Sequence, residues 1–222
     1  MSKKQTPDSI LGTQRLEAFS DSVFAIVMTL LFLELRAPEI QIRDDWTELF
    51  NAIRNLLPKF FSIFISFSFV AIFWVAHHQF FRTLQKTTHG LLWLNLVFLF
   101  FVCFVPFPAA IMSEFPDNKT SVVFFGATVL LTSLLLVALR WYAWVKHKEI
   151  SGATDDQAVR KALNRGFIMV AIYVLGIAIS FFYPTAAIII YLLTPFTLLF
   201  PVKIEVETED ENGAEEKSEV IL

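Results

Sequence analysis

The sequence has a single cysteine, Cys103, set in an apolar stretch. No disulfide can form within the chain, and cysteine usage gives no redox address. Also missing is any G-x-x-x-x-G-K-[ST] loop, so no nucleotide-driven transport is encoded. There is no TVGYG-type filter loop of the potassium-channel kind and no Arg-rich spanning helix of the voltage-sensing kind. HExxH and cysteine clusters are absent, and no second carboxylate stands at ligand spacing, so neither a metal nor a cofactor is expected. No nucleophile or metal constellation accompanies the histidines, and the chain does not read as an enzyme. The first twelve residues are polar, without an early apolar core or a small-residue cleavage site, so no cleaved signal peptide is expected.

What is abundant is apolar surface. Of 222 residues, 55% are hydrophobic, 25 are Phe, and the mean hydropathy is +0.59. Apolar stretches run over 17–36, 58–81, 90–112, 121–145, 165–183 and 185–203, each near the ~20 residues that a bilayer requires. The expected fold is an all-α membrane protein, with six spanning helices forming one unit over 17–203 and no internal repeat. In the 37–57 loop Trp46, Leu49, Phe50 and Ile53 recur at helical spacing, which predicts a short interfacial helix. Residues 1–16 form a polar N-terminus. Residues 204–222 carry eight acidic groups and one lysine, and read as a solvated, disordered tail. Without that tail 17 basic and 13 acidic residues remain. Placing both termini with loops 82–89 and 140–165 puts 13 of the 18 basic residues on one side, so both termini face the cytoplasm. The basic 140–165 loop then follows from orientation and is no nucleic-acid patch.

The first apolar helix carries polar groups that are costly in a bilayer: Glu17, Ser20, Asp21, Ser22 and Thr29. At 100° per residue, Ser22, Ile26, Leu30 and Leu33 share one stripe, with Thr29 at its edge. Ser20, Asp21 and Glu17 point elsewhere. The stripe taken alone suits packing against a neighbouring helix. The polar face needs partners within the protein. Trp74, His77 and His78 on the second span and Asn95 on the third supply them. The adjacent histidines project about 100° apart and are poor joint ligands for one metal. A network of Arg15, Ser20, Asp21, His77, His78 and Asn95 would tie three helices together, with Asp21 accepting from His77, His78 or Asn95.

Arg15-x-x-x-Phe19-Ser20-Asp21 resembles the R/K-x-x-x-F-S-D signature of the transmembrane protein 175 potassium channels. Trp74-x-x-His77-His78-x-x-Phe81 and Trp93-Leu94-Asn95 are similar to that family as well. The resemblance covers residues 15 to about 200 and implies the prokaryotic, single-unit branch, which assembles as a homotetramer in a bacterial or archaeal cell membrane. It implies a modestly selective potassium channel, with proton permeation also open, in which Ile26, Leu30 and Leu33 form the constriction around a central pore. Thr29, with Ser22, becomes the hydroxyl layer for selectivity. Arg15, Phe19, Ser20, Asp21, Trp74, His77, His78 and Asn95 become structural support. The implied partners are permeant monovalent cations, lipid and other copies of the chain. The competing function is a proton-coupled transporter that uses Asp21 and His77/His78 as a relay.

Overall fold

The computed structural model describes residues 12–35, 37, 46–153, 155–194, 203–209 and 215–221. α1 (Thr13–Leu30) continues into a 3-10 turn, Leu31–Glu34. The amphipathic loop forms α2 (Trp46–Asn55), and α3 (Leu57–Phe81) follows with Pro58 in its first turn, where a missing N–H is harmless. α4 (His89–Phe104) opens at Thr88, whose hydroxyl accepts from the Leu91 N–H. Pro106 interrupts that span and starts α5 (Pro106–Glu114). α6 (Lys119–Trp141) opens at Asn118 and leaves through a π-helical turn, Tyr142–Lys146. α7 (Asp156–Ser180) opens at Asp155, whose carboxylate accepts from the N–H groups of Gln157 and Ala158. α8 (Pro184–Leu193) is the last helix among the described residues.

Among the described residues five helical segments are long and apolar enough to cross a membrane, and α8 is a shorter apolar helix. Residues 195–202 lie outside the described set. Lys203 already belongs to a strand, so the sixth helix stops short of the expected 203. α7 begins nine residues before the expected 165, because apolarity marks only the part of a helix that meets lipid, and the Asp155 cap sets the true start.

The tail also departs from expectation. β1 (Lys203–Glu209) pairs antiparallel with β2 (Glu215–Ile221), Ile204 opposite Val220 and Glu207 opposite Lys217. The sequence there alternates Ile204, Val206 and Thr208 with glutamates, and Asn212-Gly213 lies between the strands. That period-2 pattern around Asn-Gly is a hairpin signal that net charge obscures.

α1 packs on α3 and α4, α6 on α4 and α7, and α7 on α8. Lipid is as apolar as the core, so close packing holds such a bundle together. Phenylalanines supply much of it: Phe69 meets Phe125 edge-on at 5.1 Å, and Phe73 meets Phe98 edge-on at 6.2 Å. Tyr191 of α8 is buried against Gly126 of α6 and Gly176 of α7, each so close that a Cβ would overlap the phenol ring. Gly126→Ala is therefore expected to lower stability by about 1–3 kcal/mol through overpacking. A thermal unfolding midpoint in detergent reads this directly, and an unchanged midpoint would mean that Tyr191 moves aside freely.

The connections at one end of the bundle are joined to each other. The N–H groups of Gln85 and Lys86 both donate to the Ile150 carbonyl, and the Gly152 N–H donates to the Thr83 carbonyl. Trp144 Nε1 donates to the buried Thr83 hydroxyl at 2.9 Å.

Candidate pore helix and its polar support

α1 divides into two faces. Leu16, Ser20, Phe24, Val27 and Leu31 point inward. Ile26, Leu30 and Leu33 are 56%, 52% and 72% exposed in the single chain, and Ser22 and Thr29 are on the same outward side. The two hydroxyls donate back into their own helix: Ser22 Oγ to the Ala18 carbonyl at 2.7 Å, and Thr29 Oγ1 to the carbonyls of Ala25 and Ile26 at 3.0 and 2.9 Å. With the proton so directed, the oxygen lone pairs are left facing outward, and each hydroxyl presents an acceptor.

The inward face is held by a buried chain of hydrogen bonds across three helices. Ser20 Oγ donates to the Leu16 carbonyl at 2.8 Å and accepts from Asn95 Nδ2 at 2.9 Å. Asn95 Oδ1 lies 2.8 Å from His77 Nε2. Since Asn95 presents a carbonyl oxygen there, His77 Nε2 carries the proton and donates. Ser20, His77 and Asn95 are all 0% exposed. Aromatic rings fix the imidazole, with Phe81 stacked on it at 4.2 Å and Phe98 parallel to it at 5.5 Å.

Asp21 does not join this chain. Its Oδ1 accepts from Trp74 Nε1 at 2.9 Å, and not from His77, His78 or Asn95 as expected. His78 instead stacks on Trp74 at 5.6 Å and places Nδ1 3.3 Å from Glu17 Oε1. The reason is helical rotation. Position 78 follows Trp74 around the outer side of α3, whereas position 77 points inward to α4. Arg15 and Phe19 are exposed and stand outside the network. Sequence reasoning misses Glu17 as a partner, although it precedes Asp21 by one turn and thus shares its side of α1. Glu17 is also a second carboxylate at ligand distance, contrary to expectation. Ligand atoms of Glu17, Asp21 and His78 lie within 4.8 Å of one another. Trp74 already occupies Asp21 there, and Glu17 faces His78. For a proton relay the arrangement is discontinuous: among the described residues no hydrogen bond links Asp21 to His77, and His77 Nδ1 has no partner.

The sequence and the helical fold have counterparts in known proteins. The family model described as endosomal/lysosomal potassium channel TMEM175 matches residues 15–106, which hold both faces of α1 and all of its polar support. A potassium channel of Chryseobacterium sp. (strain P1-3) is 33% identical over 192 residues, covering 85% of this chain and 93% of that one. The human endosomal/lysosomal proton channel TMEM175 is 31% identical over 146 residues, covering 62% of this chain and 29% of that longer one. The crystal structure of a lysosomal potassium-selective channel TMEM175 homolog from Chamaesiphon minutus superposes with a TM-score of 0.71 at 28% identity, covering 83% of this chain and 95% of that one. The helical fold is thus shared with a bacterial relative of matching length, and the chain belongs to the TMEM175 channel family, in its prokaryotic branch.

Proposed function

We propose that four copies of the chain surround a central axis with their α1 helices and conduct K⁺ through it with modest selectivity. The observation that carries this reading is the exposed stripe of α1. Lipid alone could cover Ile26, Leu30 and Leu33, but Ser22 and Thr29 share their outward side and lipid offers no partner to hydroxyl oxygens. Other copies would cover them, and one stripe cannot enclose a pore by itself. Rings of aliphatic side chains at these positions form a constriction that gates by dewetting. The outward lone pairs of Thr29 and Ser22 supply oxygen to a partly dehydrated K⁺, whereas the more tightly hydrated Na⁺ loses more at an apolar ring. The channel lies in the cell membrane with both termini cytoplasmic, as the basic-residue bias indicates. The potassium channel of Chryseobacterium supports the choice of ion.

Cysteine crosslinking tests the assembly. Ile26→Cys in a Cys103→Ser background should give disulfide-linked subunits under mild oxidation, because symmetry-related copies of position 26 meet near the axis. Cys103 has to be removed because it lines the same groove as Ile26. A protein that conducts K⁺ in planar bilayers yet shows no crosslink and a monomeric mass would overturn the tetramer.

A further inference from the structure

A second cavity lies away from α1, between α3, α6 and α7. Its volume is about 70 Å³. At ~10–15 Å³ for each water-sized occupant this holds roughly five heavy atoms, the size of a phosphate group. Its walls are largely apolar, with Ile72, Leu136 and Met169 among them, yet two arginines and a glutamine line it: Arg140, Arg165 and Gln79. All three sit toward the end of the bundle that carries the joined connections. No carboxylate is among the residues lining it.

Arg140 is the unusual member. It is 8% exposed and belongs to a spanning segment. Its Nη2 donates to the Ala76 carbonyl at 2.8 Å, and its guanidinium carbon lies 5.8 Å from the centroid of the Trp144 ring. Its Nε is buried with no partner among the described residues. One carbonyl and one ring do not offset the burial of a full charge, which normally requires a counter-charge. The other cation on the cavity, Arg165, adds charge of the same sign. The site therefore combines two forked guanidinium groups, one of them buried with an unpartnered Nε, with an apolar lining, and basic pockets between spanning helices suit lipid headgroups.

We propose that this cavity binds a phosphate group, presented by an anionic phospholipid whose chains lie along the apolar wall. Free inorganic phosphate carries the same chemistry, and the test separates the two sources. Native mass spectrometry of the purified full-length protein would be titrated with phosphatidylglycerol or with phosphatidylcholine of the same chains. The same titration would be repeated in millimolar inorganic phosphate. Phosphatidylglycerol is expected to bind more tightly than phosphatidylcholine. Arg165→Gln should weaken phosphatidylglycerol about tenfold or more, the effect of one charge-assisted hydrogen bond. Arg140→Gln should weaken it at least as much, and if that variant does not fold, Arg165→Gln decides alone. Arg160→Gln, an exposed position on the same helix but not on the cavity, should leave the preference intact. Competition by inorganic phosphate would assign the site to the phosphate group whatever its source. No competition would assign it to the intact lipid. Equal binding of the two lipids without any effect of inorganic phosphate, or a preference that survives Arg165→Gln, would overturn the proposal.

Discussion

Ile26→Asn is expected to raise unitary K⁺ conductance and to bring the K⁺/Na⁺ reversal potential toward zero. Ile26 is 56% exposed on the outward face of α1, and in a tetramer it contributes one aliphatic side chain per subunit to a ring. An apolar ring excludes water, and an ion crossing it must shed part of its shell. Four amides would wet the ring and supply substitute oxygens. Each ~1.4 kcal/mol taken off that barrier is about a tenfold gain in crossing rate. Thr29→Val separates size from chemistry. Its shape is nearly that of Thr, and the hydroxyl that bonds to Ala25 and Ile26 leaves with its outward lone pairs. Conductance should then change little while the preference for K⁺ falls. Bi-ionic recordings from the two variants and the parent provide the measurement. Identical reversal potentials in all three would remove α1 from the selectivity mechanism.

Asn95→Leu should have the largest effect on stability. The substitution removes the side chain that hydrogen-bonds to both Ser20 and His77, all three being without solvent access. The His77 Nε2–H loses its acceptor, and the Ser20 oxygen loses a donor. Buried groups left in this way cost roughly 1–3 kcal/mol each. Interhelical hydrogen bonds in membranes often measure nearer ~0.6 kcal/mol, because freed groups find other partners. Here Phe24, Phe81 and Phe98 surround the imidazole, so the higher figure applies. The unfolding midpoint should fall, and with it the share of protein in the proposed tetramer on gel filtration. Asp21→Asn offers the contrast, since an amide oxygen still accepts from Trp74 and the change should be small. Equal loss in the two variants would mean that the Ser20–Asn95–His77 chain carries no special share of stability.

The helices are legible in the sequence because a bilayer crossing demands ~20 apolar residues in a row, and soluble cores do not. The exposed stripe is legible as far as Leu30 because α1 is a regular helix to that point, and one angular step per residue sorts its side chains; Leu33 stays outward although it lies in the 3-10 turn. Partner choice is less so. Rotation about α3 sends His77 inward and His78 outward, but only the tilt of α3 against α1 decides whether Asp21 reaches Trp74 or an imidazole. Arg140 stands out in the sequence only through its part in the charge bias, because its burial depends on α7 lying across it. The terminal hairpin is hidden when glutamates are counted and their period is ignored. Its register sets Glu205 opposite Glu219 and Glu209 opposite Glu215, pairs that composition alone would reject.

The joined connections at the end of the bundle have a mechanical meaning. Backbone hydrogen bonds from Gln85, Lys86 and Gly152 lash the α3–α4 turn to the segment between α6 and α7, with Trp144 pinned to Thr83 beneath. Four helices are thereby strapped into one stiff buttress. Across this strap α1 is moored by the hydroxyl contact between Thr13 and Thr87, 3.2 Å long. Load on α1 is then handed to this frame at two levels, through Thr13 at its end and through the buried Ser20–Asn95 bond one to two turns on.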